Sequence, residues 1–395
     1  MKTTVLSTMA TLVSALLVAG SARSEEAVKV GFINTLSGAN ATLGQEALDG
    51  FNLAVKLAQG KLGGARVQMV VGDDQQKPDI GRQLVDKMTD LDRVDLFVGV
   101  AFSNVMQAIA RPIEERRAIL LSPNAALADQ AGRRCSPGFF AMRDQNDGVH
   151  EAAGEYASKQ GYKRIYLLAP NYAAGKEALA GFKRYFKNGE IAGEVYTPLN
   201  QLDFAAELAQ LRSAKPDAVY FFYPGGLAIS FLRQFEQAGL KSTVPLIGPS
   251  YSLDETVLPA VGDAALGAMA ASFWTATLDN PANRVFTSAF KNEYRRNPSP
   301  YAAVGYDTAR LIAAALDKTG GKVADRVALQ AALASTPFES VRGPFRFGAN
   351  QFPVQNYYLT QVVRRADGEV GLDMRGDIFQ AHADAYAGSC KMRPF

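Results

Sequence analysis

"VYFFYPGGLAI" (219–229) opens as an apolar run, closes on Tyr223 and Pro224, turns on Gly225 and Gly226, and resumes as an apolar stretch at helical spacing. A strand, a glycine turn and a helix start in that order make one step of an alternating α/β chain. The same junction can cradle a phosphate, because a helix N-terminus offers unpaired N–H groups and partial positive charge. It can equally rim a cleft for another kind of ligand. The flanking sequence decides between these.

Upstream, "VKVGFINT" (28–35), "ARVQMVV" (65–71), "DLFVGV" (95–100) and "AILLSP" (118–123) read as short strands. The helices between them are marked by the apolar face of Ala47, Phe51, Ala54 and Ala58 and by Pro78 at a first turn. After the polar stretch "RDQND" (143–147) the rhythm restarts with "RIYLLAP" (164–170), "GEVYTPL" (193–199), "AVYFFYP" (218–224) and "VPLIGPS" (244–250). An irregular crossing, "ASFWTATLDNP", precedes two late helices near 282–296 and 301–318, and "NYYLTQVVR" (356–364) returns to strand. The expectation is an α/β chain of two doubly wound, Rossmann-like lobes with parallel sheets and helices on both faces. At 395 residues the chain is too long for one core, which agrees.

The first 24 residues read differently. Lys2, an uncharged apolar run from Val5 to Val18 and the small-residue stretch "AGSARS" have the order of a secretory signal, with cleavage expected near 22–24. The run falls short of the roughly 20 residues needed to span a bilayer. Cleavage would lower the formal charge from +3 to about +1, which leaves no basic surface for nucleic acid. In an oxidising compartment the two cysteines, Cys135 and Cys390, are expected to pair. His150 and His382 are not grouped with them at metal-ligand spacing, so no metal site is expected. Asp73 and Asp74 read as a strand-end turn rather than a calcium loop.

In a parallel sheet the ligand sits beyond the carboxyl ends of the strands. Those tips read "TLSGAN" (35–40, with Ser37), "VAFSN" (100–104), "SPNAA" (122–126), "APNYAAG" (169–175), "FYPGG" (222–226) and "GPSYS" (248–252). They are built of Ser, Asn, Gly and aromatic rings, without Lys, Arg, Asp or Glu. Neither a phosphate loop nor a GxSxG elbow occurs at them, so no cofactor is expected and the protein reads as a binder rather than an enzyme. The glycines at 225 and 226 then read as a ligand rim that lets backbone amides approach a bound molecule.

Together "VGFINTLSGANATLGQEALDGFNLAV", "LLSPNAA", "NYAAG", "LRQFEQAGL", "DAALGAMAASFW" and "YAAVGYDTARLI" resemble periplasmic solute-binding proteins of ABC importers, in the type I, Leu/Ile/Val-binding family. The resemblance implies two lobes joined by a three-segment hinge: residues 25–145 plus 276–346, and 146–275 plus 347–395. It also implies a monomer that closes on a ligand in the periplasm and presents the closed form to a membrane permease.

Carried over by position, Ser103 matches a serine that bonds a ligand carboxylate, and Asn124, Ala125 and Ala126 match a turn supplying backbone groups. Ala126 stands where a threonine hydroxyl is common. Tyr172 matches the second-lobe tyrosine. Amino-acid binders place an acid after "GP" to grip the ammonium, and here Ser250 stands there. An unpaired α-ammonium would cost several kcal/mol in a closed cleft. Phe102, Tyr172, Tyr223, Tyr251 and Trp274 instead offer ring walls. "AFSN", "FYPGG" and "DETVLPAVGDAALG" further resemble the subgroup that takes up aromatic acids. The expected ligand is a benzoate- or hydroxycinnamate-type carboxylate. The alternatives are a branched-chain or aromatic amino acid, and a sensing role within a signalling receptor.

Overall fold

The computed structural model describes residues 27–366 and 368–395; the signal read at the N-terminus lies outside them. The first sheet holds β1 (Val28–Asn34), β2 (Lys61–Leu62), β3 (Ala65–Asp73), β4 (Leu96–Val98), β5 (Leu120–Ser122) and β6 (Phe139–Ala141), in the order β2-β3-β1-β4-β5-β6. All neighbours are parallel except β2 against β3. The second sheet holds β7 (Arg164–Pro170), β8 (Glu190–Thr197), β9 (Ala218–Phe221), β10 (Leu246–Pro249), β11 (Met269–Ser272), β12 (Phe345–Phe347), β13 (Pro353–Arg364) and β14 (Val370–His382). Its order is β12-β13-β11-β10-β9-β7-β8, with β14 on the far side of β13. The five central strands β8, β7, β9, β10 and β11 are mutually parallel, and β13 joins them antiparallel to β11.

Buried on both faces, the central strands read as continuous apolar runs: every residue of β4 and β9 is buried. β2, β6, β11, β12 and β14 escaped the sequence reading, and two of them, β6 and β11, bear on the site. β6 is three residues long and lies just before "RDQND"; β11 falls at the head of the stretch taken as irregular. Each ends its lobe's parallel sheet, and each leads into a crossing between the lobes.

Helix Ala41–Leu57 packs on helix Pro300–Thr319 through glycine. A Cβ on Gly50 would lie 1.9 Å from the Ala302 carbonyl oxygen, and one on Gly305 2.1 Å from that of Ala47. The backbones therefore touch directly, which is the physical content of "ALDGFNLAV" and "YAAVGYDTA". The three crossings are bound to one another. Arg342, wholly buried on the third, donates from Nη1 to the carbonyl of Arg143 on the first (3.3 Å) and to Gln355 Oε1 (2.9 Å). Asn280, on the second, donates to the carbonyl of Val341 (3.0 Å). Cys135 and Cys390 are joined by a disulfide that ties the C-terminal tail back to the segment entering β6.

Two outcomes follow from this packing. Gly50→Ala pushes a methyl group into a carbonyl and should cost about 2–3 kcal/mol, lowering the melting temperature by roughly 5–10 °C. Gly388→Ala, where nothing stands within 4 Å, is the control and should stay within about 0.5 kcal/mol. Alkylation of the unfolded, unreduced protein should label no thiol, and labelling of both would refute the bridge. Breaking that bridge frees a loop of 255 residues, with an upper bound of roughly 5 kcal/mol on the stability lost.

Candidate functional site

The carboxyl ends of the two sheets face each other across a cleft with about 350 Å³ of empty space, partly open to solvent. The first lobe contributes Leu43, Ala101, Phe102, Ser103, Asn124 and Tyr301. The second contributes Tyr172, Ala174, Phe222, Pro224 and Tyr251, and the first crossing adds Arg143 and Asn146. Helix Ser103–Glu115 starts at the cleft, so its free N–H groups and partial positive charge face the space.

Arg143 is the dominant charge. Its Nε pairs with Asp144 Oδ1 at 2.5 Å, its Nη1 donates to Asn124 Oδ1 at 2.9 Å, and its guanidinium lies 4.7 Å over the ring of Tyr251. Burial is the largest influence and opposes the charge, but the Asp144 carboxylate together with Tyr251, Tyr301 and Tyr357 outweighs it and holds the group protonated, above its ordinary range. Asp144 is stabilised in turn by the amide of Val149 and the Tyr357 hydroxyl. Asn124 is fixed from its other side by donating to the Ala101 carbonyl.

A second network crosses the lobes. Asn146 Nδ2 donates to Ser103 Oγ at 3.0 Å and to Glu177 Oε2 at 2.7 Å, while its Oδ1 accepts from the amide of Ala126. Glu177, on second-lobe helix Ala173–Tyr185, also accepts from the amide of Ala128 in the first lobe. Burial pushes its carboxyl up to about 7 against the pull of those two bonds, with the nearby Asp129 charge adding to the rise. Ser103 accepts in this network and keeps its own O–H for a ligand.

The glycine turn has a different task from the one read in the sequence. Gly225 has φ +50°, in the left-handed region, and a Cβ on it would stand 2.8 Å from Asn40 Oδ1 and 3.1 Å from Leu43 Cδ1. Gly226 faces Ala39. The turn is where the second lobe's rim meets the first lobe's "SGAN" loop, and only a residue without a side chain fits there. Phe102 and Tyr172 meet across the same gap, with ring centroids 6.5 Å apart. The structure is therefore a closed form.

Of the residues expected at the site, Phe102, Ser103, Asn124, Tyr172 and Tyr251 line the cleft. The others lie elsewhere. Ser37 is exposed and bonds to Asp73. Ala125 and Ala126 sit behind the wall, with their amides spent on the Val100 carbonyl and on Asn146. Tyr223 points into the core against Phe204 and Phe231, its hydroxyl accepting from Thr197. Ser250 is wholly buried next to Tyr251 and is not a lining residue. Trp274 anchors the second crossing through Nε1 to Asn283 Oδ1 at 2.7 Å.

Arg143, Asn146, Phe222 and Tyr301 were missed. The one available signal was "FFAM" immediately before Arg143, which makes Arg143 a strand-tip residue. Asp73 and Asp74 do form a strand-end turn, accepting from Leu36, Gln75, Thr35 and Gln76. Among the described residues no group of acids, histidines or cysteines is arranged to hold a metal.

Residues 27–369 match the model of a family described as periplasmic binding protein. A curated relative, Leu/Ile/Val-binding protein homolog 6 of Brucella melitensis, is 26% identical, over 89% of this chain and 91% of that one. A solute-binding protein of an ABC transporter from R. palustris, solved in complex with benzoate, superposes with a TM-score of 0.88 at 33% identity, over 93% of this chain and 100% of its own. Another, from Rhodopseudomonas palustris BisB5 in complex with 3,4-dihydroxybenzoic acid, gives 0.86 at 31% identity, over 91% and 99%. With the two-lobed fold and the closed cleft in place, these matches establish that the chain belongs to the periplasmic binding protein family, among the solute-binding proteins of ABC transporters.

Proposed function

We propose that this protein is an extracytoplasmic receptor that captures a small aromatic carboxylate between its lobes and delivers it to the permease of an ABC importer. In this reading it acts as a monomer and is exported by a cleaved leader. The observation that carries the ligand class is the make-up of the cleft lining: one arginine, no acid, and five rings from Phe102, Tyr172, Phe222, Tyr251 and Tyr301. An arginine fork matches a carboxylate, and the rings match a planar ligand. An α-ammonium would find no acid on these walls, because Asp144 and Glu177 lie behind them and are already paired. The benzoate and dihydroxybenzoate complexes of the two similar proteins support the same class.

This route to the ligand class does not pass through Ser250. Ser250→Glu would bury a carboxylate behind the cleft wall, so its main effect belongs to folding rather than to selectivity.

Calorimetric titration tests the reading. Benzoate, 4-hydroxybenzoate and 3,4-dihydroxybenzoate should bind, and leucine and phenylalanine should not. Arg143→Lys keeps the charge that offsets Asp144 but loses the planar fork, and should weaken benzoate by roughly 10–100-fold. Binding of leucine without any aromatic acid would overturn the assignment.

The closed form also has a proton dependence. Glu177 reaches the first lobe through the amide of Ala128, a bond that opening would break, and in the closed form its pKa is about 7; opening should return it towards water and the ordinary carboxyl range. A pKa raised in the closed state favours closure fully below the open-state value and loses that contribution as pH rises through the closed-state value. Benzoate affinity should therefore fall between about pH 4.5 and about pH 7 and level off above. Glu177→Gln should flatten that profile, and an unchanged slope in the variant would refute the assignment to Glu177.

A further inference from the structure

Behind the cleft wall lies a chain of three side chains, all in the second lobe. The Tyr220 hydroxyl meets His150 Nδ1, and His150 Nε2 meets the Tyr251 hydroxyl at 2.5 Å. His150 and Tyr220 are wholly buried, while Tyr251 faces the cleft. Burial, and then the charge of Arg143, drive the imidazole well below its ordinary pKa, so the ring is neutral. A neutral imidazole donates from one nitrogen and accepts at the other, leaving two ways to orient the chain.

The two orientations are unequal. Among the described residues His150 Nδ1 is the one hydrogen-bond partner of the Tyr220 hydroxyl. If Nδ1 carried the proton, the Tyr220 O–H hydrogen would be buried with nothing to accept it, at the full desolvation cost of that donor. If Tyr220 donates to Nδ1, only a lone pair is left over, which costs much less. The proton then sits on Nε2 and is donated to the Tyr251 oxygen. That oxygen already accepts from the histidine, so its own hydrogen turns away from the relay and into the cleft, where Arg143 next to it is also a donor.

We propose that His150, set by Tyr220, is a positioning residue that fixes the Tyr251 hydroxyl as a hydrogen-bond donor into the cleft, so that the site selects ligands presenting an oxygen acceptor beside Arg143. This rests on the carboxylate reading for the identity of the ligand group, but the proton order of the relay does not. Donors then line the same cleft: the Arg143 guanidinium beside the Tyr251 O–H and, from the facing lobe, the Ser103 O–H. A group that is itself a donor, such as an ammonium, meets them as a mismatch.

The proton order can be read by nitrogen–proton correlation spectroscopy on protein labelled at histidine. His150 should appear as the Nε2–H tautomer with Nδ1 unprotonated, unchanged from about pH 5.5 to about pH 8, with His382 identified by its loss in His382→Gln. An Nδ1–H tautomer or an imidazolium overturns the proposal. In calorimetry Tyr251→Phe should weaken benzoate by roughly 10–100-fold, the worth of a hydrogen bond to a charged group. His150→Phe, which touches no ligand, removes the donor that holds the Tyr251 oxygen and frees its hydrogen to turn elsewhere, and should weaken benzoate by a few-fold.

Wild-type benzoate affinity in His150→Phe refutes the positioning role whatever the tautomer. Failure of benzoate to bind the wild type refutes the functional reading instead, and leaves the spectrum to decide the relay.

Discussion

Everything in the cleft hangs on Arg342, which no ligand touches. Its guanidinium is fully buried and donates from Nε to Asp307 Oδ2 at 2.9 Å, and from Nη1 to Gln355 on β13 and to the backbone carbonyl of Arg143. Asp307 is satisfied further by the Ser340 hydroxyl and the amide of Val341, and Gln355 also donates to the Arg143 carbonyl at 2.7 Å. Burying an ion pair is expensive, and its net contribution to stability is small unless the remaining hydrogen bonds are made. What it supplies here is position. It joins a helix of the first lobe, a strand of the second and two crossings at a single point. The backbone of Arg143 is one of the groups held there, so the cation of the cleft is aimed by the hinge itself.

The proposed function needs lobes that move, and this arrangement would let them do so while keeping an exact donor set. A hinge made of three separate strands of chain could shear, displacing Arg143 by an ångström or more, and misplacement of that size is costly at a site that works by geometry. Tying the third crossing to the first through Arg342, and to the second through Asn280 and Val341, leaves bending as the soft motion. The second crossing is stiffened locally: Asn283 accepts from Trp274 Nε1 and donates to the carbonyls of Thr275, Ala276 and Leu278.

Periodicity made the scaffold legible in the sequence, but much less of the site. Long strands and helices announced themselves, and the family's glycine-bearing stretches turned out to be helix contacts and a lobe contact, at Gly50, Gly305 and Gly225. The losses came where a single residue of register or a three-residue strand decides the outcome. In "FFYP" the rings at 222 and 223 point to opposite faces, as successive strand residues must; the wrong one, Tyr223, was assigned to the cleft. Arg143 was lost because β6 is too short to read, and a charge run after a missed strand looks like a solvated linker. Trp274 and Ser250 lie where the tips were expected, but the three-dimensional wall runs in front of them. His150 could not be placed at all, since both of its partners come from strands or tips distant in sequence.

The selectivity of the cleft is best understood as a count of donors and acceptors made at the moment of closure. A ligand favours the closed form only through interactions it lacks when the lobes are apart. Closure brings Ser103 and Asn124 of the first lobe against Tyr172 and Tyr251 of the second, around an arginine that neither lobe alone encloses. The carbonyl oxygens of Asn124 and Asn146 are spent on Arg143 and on the amide of Ala126, whereas Arg143 offers only donors, the start of helix Ser103–Glu115 is positive, and the hydroxyls of Ser103, Tyr172, Tyr251 and Tyr301 can each donate. A carboxylate satisfies them and repays its lost hydration with charge-assisted bonds. A neutral ring without an acceptor would leave those buried donors unpaired, at a cost that grows with each one. In the proposed function the rings set the shape of what enters, and the surplus of donors is what favours an anion as the ligand over which the lobes would shut.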